Sequence, residues 1–419
     1  MAVTCCDAPG LMPVEQAMTQ MLESIVEKQG STLVPLADAL DCILAADVVS
    51  PINVPVFDNS AMDGYAFPAQ DLASFSTLTR VGRVYAGESF TGELKPGECV
   101  RIMTGAPMPA GADTVQMQEN VTVVDDEHIK LDAVPKMGAN VRYAGEDIKQ
   151  GAVVLQAGER LKPAHLGLLA SLGVAEVEIK QPIKVGVFST GDELVPVGQP
   201  LAAGQIYDSN RFFLVALLKR LNVDVIDYGC LVDDIEILRN TLLTAADEVD
   251  ALITSGGVSV GEADFTKDVL DEIGNVNFWK LAIKPGKPFA FGKIPSIAQN
   301  KDILFFGLPG NPVSSFVTCH QLVVPALQTL MGAKKQQKIT LTAKSQSTLK
   351  KRPGRMDFQR AVYSVSDTGE LVVLSTGAQG SGILTSICQA NCYILLAQQQ
   401  GNVVAGEQVE ILPFDQFIS

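Results

Sequence analysis

Histidine is nearly absent from this chain. His128, His165 and His320 are the only three in 419 residues, and they lie too far apart in sequence to suggest a His-based metal site or a Ser-His-Asp or Cys-His nucleophile. The eight cysteines (Cys5, Cys6, Cys42, Cys99, Cys230, Cys319, Cys388 and Cys392) form no CxxC. Neither a zinc ribbon nor a thioredoxin-like pair is indicated, and the cysteines read as scattered reduced thiols in a cytosolic core. No apolar run approaches the ~18 residues that cross a bilayer, and the opening seven residues lack the basic start and apolar stretch of a signal peptide. Positive charge is the scarcer sign. With 32 Lys plus Arg against 47 Asp plus Glu, the formal net charge is −15, which argues against nucleic acid or an anionic membrane as a partner. A soluble, cytoplasmic protein is expected.

What is present is an ordinary globular composition, 47% hydrophobic and 19% charged, in a chain long enough for about three domains. Val14 to about Leu44 reads as helical from the spacing of Ala17, Met18, Met21, Leu22 and Ile25, and a second helix is expected near 164–172, ending at Gly173. Between them lie short β-like runs such as 99–103 and 114–117, broken by Gly and Pro. From Pro182 to about Met331 strands alternate with helices, and the strands 184–188, 251–254 and 303–306 are apolar throughout, the mark of a parallel sheet covered on both faces. Beyond the polar stretch 334–338 the chain turns β-like again at 339–342, 371–374 and 393–396. The expected architecture is an elongated multidomain chain of the α/β plus β class. Residues 9–50 and 141–180 form a discontinuous helical scaffold, 51–140 an inserted β-rich domain, 181–332 a doubly wound parallel-sheet domain and 333–419 a C-terminal β-barrel or sandwich. The first eight residues are expected to fray.

Ligands of open α/β sheets bind beyond the carboxyl ends of the strands. Here those ends run into Ser189-Thr190-Gly191-Asp192-Glu193, then Ser255-Gly256-Gly257-Val258-Ser259 continuing through Glu262 and Asp264, then Lys284-Pro285-Gly286-Lys287-Pro288, and last Pro309-Gly310-Asn311-Pro312-Val313-Ser314. Each loop alone could be an ordinary turn. Four converging on one edge form an anion and small-molecule pocket in which glycines let backbone N–H groups approach a phosphate. From Ile273 to Lys301 there is no Asp or Glu but five lysines, Lys280, Lys284, Lys287, Lys293 and Lys301. A second basic stretch covers 350–355. Lysines usually decorate solvated faces, but Lys284 and Lys287 flank a glycine at a strand end, which points to an oxyanion. Carboxylates share these loops (Asp192, Glu193, Asp233, Glu262 and Asp264), an arrangement that suits a bridging Mg²⁺. Helix capping by Asp264 and salt bridging by Glu193 are the competing readings.

The strings Asn59-Ser60-Ala61-Met62-Asp63-Gly64-Tyr65-Ala66, Thr104-Gly105-Ala106-Pro107, Gly145-Glu146-Asp147, Ser189-Thr190-Gly191-Asp192-Glu193-Leu194, Ser255-Gly256-Gly257-Val258-Ser259, Lys284-Pro285-Gly286-Lys287-Pro288 and Leu308-Pro309-Gly310-Asn311-Pro312 occur in the order of the MoeA and gephyrin E-domain family, and the resemblance runs from about Leu11 to Pro413. It implies a molybdopterin molybdenumtransferase that converts adenylylated molybdopterin and molybdate into molybdenum cofactor and AMP with Mg²⁺, on a sheet domain of the molybdopterin-binding kind. It also implies a homodimer in which Asp63, Thr104, Arg142 and Asp147 of one subunit complete a catalytic cleft formed by Glu193, Asp233, Asp264, Lys280 and Lys284 of the other. Lys287, Ser259, Ser314, Arg355 and Ser381 are the implied holders of molybdate, and Asp233, Glu262 and Asp264 the implied Mg²⁺ ligands. A separate molybdopterin adenylyltransferase is expected to supply the substrate through transient contact. Two other classes stay open on the residues alone. One is a scaffold module with this fold and no turnover, against which the acids and lysines kept in every loop argue. The other is an unrelated nucleotide-dependent transferase or pyrophosphatase, whose Walker GxxxxGK[ST] or GxGxxG is missing from these loops.

Overall fold

In a computed structural model, residues 10–232, 234–257 and 265–418 are described. The expected fraying of the first eight residues, and the roles assigned to Asp233, Ser259, Glu262 and Asp264, lie outside the described residues.

The N-terminal helix is shorter than the sequence suggests. It spans Val14–Ser24 and buries Val14, Ala17 and Met21 on one face. Ile25 is already extended, and the chain turns at Gly30, whose φ of +102° costs a glycine little. The Ser-Thr-Leu-Val run that follows has strand chemistry. Ser31–Pro35 pairs antiparallel with Glu176–Lys180, from Ser31 opposite Lys180 to Pro35 opposite Glu176. Tertiary pairing thus overrides the helical reading of 25–44. The second expected helix is present as Pro163–Ser171, with proline in its first turn, where a missing N–H costs nothing.

Residues 59–142 contain a six-stranded sheet in which Gly64–Phe67 pairs with both Glu98–Ile102 and Thr114–Met117. Gly64 is sterically required there, because a Cβ would sit 2.0 Å from the Gln116 carbonyl oxygen.

The sheet domain has strands β1 (Lys184–Thr190), β2 (Asp224–Leu231), β3 (Ala251–Ser255), β4 (Asn275–Lys280), β5 (Pro288–Ser296) and β6 (Lys301–Leu308) in the order β2-β1-β3-β6-β5-β4. The helices that matter for the site are α1 (Asn210–Arg220), α2 (Ile235–Glu248), α3 (Phe265–Ile273) and α4 (Pro312–Thr318). Strand alternation sends Val185, Val187, Ile253 and Phe306 to one apolar layer with Leu214 and Leu217 of α1 and Val313 and Val317 of α4. Phe188, Leu252 and Phe305 go to the opposite layer, with Leu238 and Leu242 of α2 and Val269 and Leu270 of α3. Both faces are covered, as doubly wound topology requires. The sheet is not wholly parallel, however. β2, β1, β3 and β6 are parallel, whereas β5 runs antiparallel to both β6 and β4. After Thr318 the helix continues through a π-helical turn, Cys319–Val323, into Val324–Leu330.

At the C-terminal end the strands Leu341–Ser345, Met356–Val365, Leu371–Ser375, Cys392–Leu396 and Gln408–Pro413 close on themselves, because Met356–Val365 pairs with both 371–375 and 392–396. It is a barrel, not a sandwich. The short strand Ile283–Lys284 of the sheet domain adds to its edge, Ile283 opposite Met356 and Lys284 opposite Asp357.

Candidate active site

The carboxyl ends of β1, β3 and β6 open into one cavity of about 860 Å³. Its walls hold twelve of the residues expected from the sequence: Thr190, Gly191, Glu193, Ser255, Gly256, Gly257, Pro288, Pro309, Gly310, Asn311, Pro312 and Ser314. Close packing explains the glycines. At Gly256, with φ +96°, a Cβ would lie 2.6 Å from the Thr190 carbonyl oxygen; at Gly257, with φ +66°, it would lie 2.4 Å from Thr266 Oγ1. The loops after β1 and β3 therefore touch backbone to backbone, and only glycine permits it. Glu193 folds back over Gly191, where a Cβ would approach Glu193 Oε2 to 2.7 Å.

Several lining residues were not among the expected site residues: Leu194, which only closes a motif, and Ile206, Tyr207, Asp208, Ser209, Asn210, Phe265 and Gly382. Asp208-Ser209 reads as a helix cap. In the fold, Asp208 is almost fully buried. It accepts from Ser189 Oγ at 3.1 Å and from Arg211 Nε at 2.8 Å, and Arg211 also bonds Asp227. Ser189, expected at the ligand, is thus buried behind the cavity wall, while Asp192 points to solvent. Asn210 ties the loops together. Its Nδ2 donates to Ser255 Oγ at 2.7 Å and to the Gly310 carbonyl at 2.7 Å, while its buried Oδ1 has no partner among the described residues. Because Gly310 O can only accept, the amide must turn Nδ2 toward it. A reader of the sequence sees only a helix start at Asn210, because both partners come from distant loops. Leu194, Ile206, Tyr207 and Phe265 supply an apolar, partly aromatic rim suited to a flat ring system.

The basic residues are placed differently from the expectation. No Lys or Arg lines the cavity among the described residues. Lys280 ends β4, exposed. Lys284 lies 3.3 Å from the buried carboxylate of Asp357. Lys351, with no exposed side-chain surface, sits 3.8 Å from Asp357 and donates to the carbonyls of Arg352 and Arg355 at 2.8 and 2.6 Å. Lys287, Arg355 and Ser381 are likewise not on the cavity wall, although the neighbouring Pro288 and Gly382 are. Ser381 does reach the site's framework, because its carbonyl accepts from Val313 N–H at 2.9 Å. The N-terminal end of α1, whose Ser209 and Asn210 face the cavity, is met by the buried Asp208 carboxylate, which accepts from Arg211 N–H at 3.3 Å.

A second group of expected residues assembles away from this cavity. Asp63 Oδ1 accepts from both the backbone N–H and the hydroxyl of Thr104 at 2.8 Å. These two bonds, the backbone one foremost, hold its carboxyl below the usual carboxylate range. Val141–Arg142 pairs with Asn59–Ser60, and Gly105 N–H donates to the Ser60 carbonyl. Asp58 receives the Ala144 amide at 2.7 Å, and Asp147 N–H donates to Val54 O. Three separate motifs are thereby tied together through the 54–60 segment; Asp63, Thr104, Arg142 and Asp147 are all exposed, and none of the four lines the cavity of its own chain.

Among the described residues, no three His, Cys, Asp or Glu side chains are grouped closely enough to hold a metal ion. The carboxylates that line the cavity, Glu193 and Asp208, do not make such a set by themselves.

Family models match this chain in three consecutive blocks: the "MoeA N-terminal region (domain I and II)" over residues 12–173, the "Probable molybdopterin binding domain" over 186–329 and the "MoeA C-terminal region (domain IV)" over 342–414. The chain belongs to the MoeA family. It is 49% identical over 409 residues to the molybdopterin molybdenumtransferase of Haemophilus influenzae, covering 97% of this chain and all of that protein. It is 35% identical over 390 residues to molybdopterin molybdenumtransferase 2 of Mycobacterium tuberculosis, covering 90% and 94% of the two chains. The molybdopterin biosynthesis MoeA protein of Pyrococcus horikoshii superposes with a TM-score of 0.82 at 31% identity, over 96% of this chain and 100% of that one. The MoeA resemblance read from the loop motifs is confirmed, and the cavity falls mainly within the block matched by the molybdopterin-binding model.

Proposed function

We propose that this chain is a molybdopterin molybdenumtransferase, which inserts molybdate into adenylylated molybdopterin and releases AMP. One observation carries the reading: apart from Gly382, the cavity at the carboxyl ends of β1, β3 and β6 is built from residues that the molybdopterin-binding family model spans. Its volume of about 860 Å³ suits a large, partly apolar ligand. The chain's own contribution is placement and charge. Backbone amides around Gly257 and Gly310 meet phosphate oxygens, while the rim of Ile206, Tyr207 and Phe265 shields a ring from water. Molybdate is assigned to the end of the cavity near Pro288, Ser314 and Gly382, where Lys287, Ser259, Arg355 and Ser381 are the proposed supporting residues.

Asp63, Thr104, Arg142 and Asp147 are assigned to the cavity of a second copy, which makes the homodimer part of the site. Mg²⁺ is assigned to Asp233, Glu262 and Asp264, where it would neutralise the pyrophosphate. These residues lie outside the described ones. A separate adenylyltransferase is the proposed source of substrate. No helix among the described residues is long and apolar enough to cross a membrane, and the cytoplasm is the proposed compartment.

The test is AMP release from adenylylated molybdopterin by the purified protein with Mg²⁺, with and without molybdate. Molybdate-dependent release is expected, together with its loss in Asp264→Ala at unchanged fold. A folded protein that binds the pterin yet releases no AMP would favour a scaffold role, and a fully active Asp264→Ala would refute the part given to that carboxylate.

A further inference from the structure

Arg360 is among the largest fully buried side chains of the protein, 1% exposed, on the barrel strand Met356–Val365. Among the described residues no carboxylate pairs with it. Its guanidinium is bound instead by neutral oxygens: Nε donates to Ser386 Oγ at 3.0 Å, Nη2 to the Gly380 carbonyl at 3.2 Å and Nη1 to the Phe358 carbonyl at 3.5 Å. The residue's backbone grips the same loop. Its N–H donates to Gln379 Oε1 at 2.8 Å, and its carbonyl accepts from Gln379 Nε2 and Thr376 Oγ1 at 3.0 and 3.1 Å.

Burying a cation without a counter-ion is costly, and burial pulls the Arg360 guanidinium down to about 10. Holding the loop does not require that cost, because Gln379 and Thr376 already bond it to the strand backbone. What needs a reason is the charge. The loop leads to Ser381, whose carbonyl receives Val313 N–H at 2.9 Å, and to Gly382, which forms the cavity wall beside Ser314 and Pro288. A positive charge behind that wall is compensated when a dianion occupies the adjoining end of the cavity.

We propose that Arg360 is a positioning residue for the oxyanion: from inside the barrel it fixes the Gly380–Gly382 wall and places an uncompensated positive charge behind it. The proposal rests on the assignment of molybdate to this end of the cavity. Molybdate and AMP binding are measured separately by equilibrium dialysis on wild type, Arg360→Gln and Arg360→Lys, with circular dichroism and thermal melting on each. The expected result is molybdate affinity lower by about 10–100-fold in Arg360→Gln, the scale of one charge acting on a dianion through a part-buried wall. Arg360→Lys should recover most of the loss, and AMP affinity should stay unchanged throughout. Should Arg360→Gln fail to fold, Ser386→Ala removes only the hydroxyl bound by Nε, and a drop of about 2–10-fold for molybdate alone is expected. Wild-type molybdate affinity in the folded variants overturns the proposal. So does a parallel loss of molybdate and AMP binding that lysine does not rescue, the mark of a structural role only. Wild type that binds AMP but no molybdate overturns the oxyanion assignment beneath the proposal, and the proposal with it.

Discussion

Replacing Asn210 by alanine should separate activity from stability. The amide makes two bonds of 2.7 Å, to Ser255 Oγ and the Gly310 carbonyl. Losing both costs about 1–3 kcal/mol. Part of that is offset, because the variant also removes the buried, unpartnered Oδ1, whose desolvation costs on the order of 1 kcal/mol. The net loss is then about 1–2 kcal/mol, a small effect for a chain of this size. The functional loss is larger. Ser255 and Gly310 stand on different loops of the cavity wall, and a misplacement of about 1 Å in a binding wall can cost 100-fold. AMP release by Asn210→Ala should fall about 10–100-fold, while thermal melting shifts by only a few degrees. Asn210→Asp should be worse than alanine, because its carboxylate would face the Gly310 carbonyl oxygen with no proton to share. Alanine at wild-type rate, or aspartate as active as asparagine, would show that this amide does not set the loops.

The remaining expectations use the same assay or simple stability measurements. Gly256→Ala should lose about 2–4 kcal/mol and most AMP release, since a left-handed backbone and a contact of 2.6 Å with Thr190 O act together. Gly198→Ala has a similar φ of +94° and open space around it, so it should cost only about 1 kcal/mol; equal losses in urea denaturation would show that the Thr190 contact is not what requires Gly256. Burial pushes the Asp250 carboxyl up, but hydrogen bonds from Lys28, Lys301 and the Lys184 amide bring it net below the usual range. Its stabilisation is therefore present above the unfolded pKa of about 3.9 and is lost as pH falls through the lower folded value. Lys28→Met should cost about 1–3 kcal/mol at pH 7, a deficit that shrinks below about pH 4, and a deficit independent of pH would contradict this. Finally, Asp63→Ala and Glu193→Ala should each be inactive alone. Mixed subunits should regain about one quarter of wild-type AMP release through heterodimers with one intact site, and no recovery after confirmed subunit exchange would place both residues in one chain's site.

The sheet domain was legible because the middles of β1, β3 and β6 (185–188, 251–253 and 303–306) are unbroken runs without a polar residue, a pattern that strands buried on both faces need. β5 was not. Pro288, Gly292 and Pro295 break its pattern, and what holds it is tertiary: Gly292 packs so closely on β4 that a Cβ would lie 2.2 Å from Asn275 O. The twelve cavity residues read from the loops were visible because glycine and proline clustered at strand ends mark close backbone approach. The lysines were legible as charge but not as geometry. Their density along the chain suggested a basic pocket, yet Lys284 and Lys351 surround Asp357, a partner 73 residues from Lys284. Asn210 and Arg360 carry no local signature at all. One opens a helix and the other sits within a strand, and their partners become neighbours only on folding.

The barrel is not hung on the sheet domain by a linker alone. Ile283–Lys284 is at once a rung of the barrel's ladder and the lead into the loop that ends at Pro288, on the cavity wall. Met356 N–H is bonded to Ala282 O, and Val313 N–H to Ser381 O. A load applied to the outer surface of the barrel is accordingly carried by these bonds toward Pro288 and Gly382 on the cavity wall. Any protein that grips the barrel holds a lever on the site.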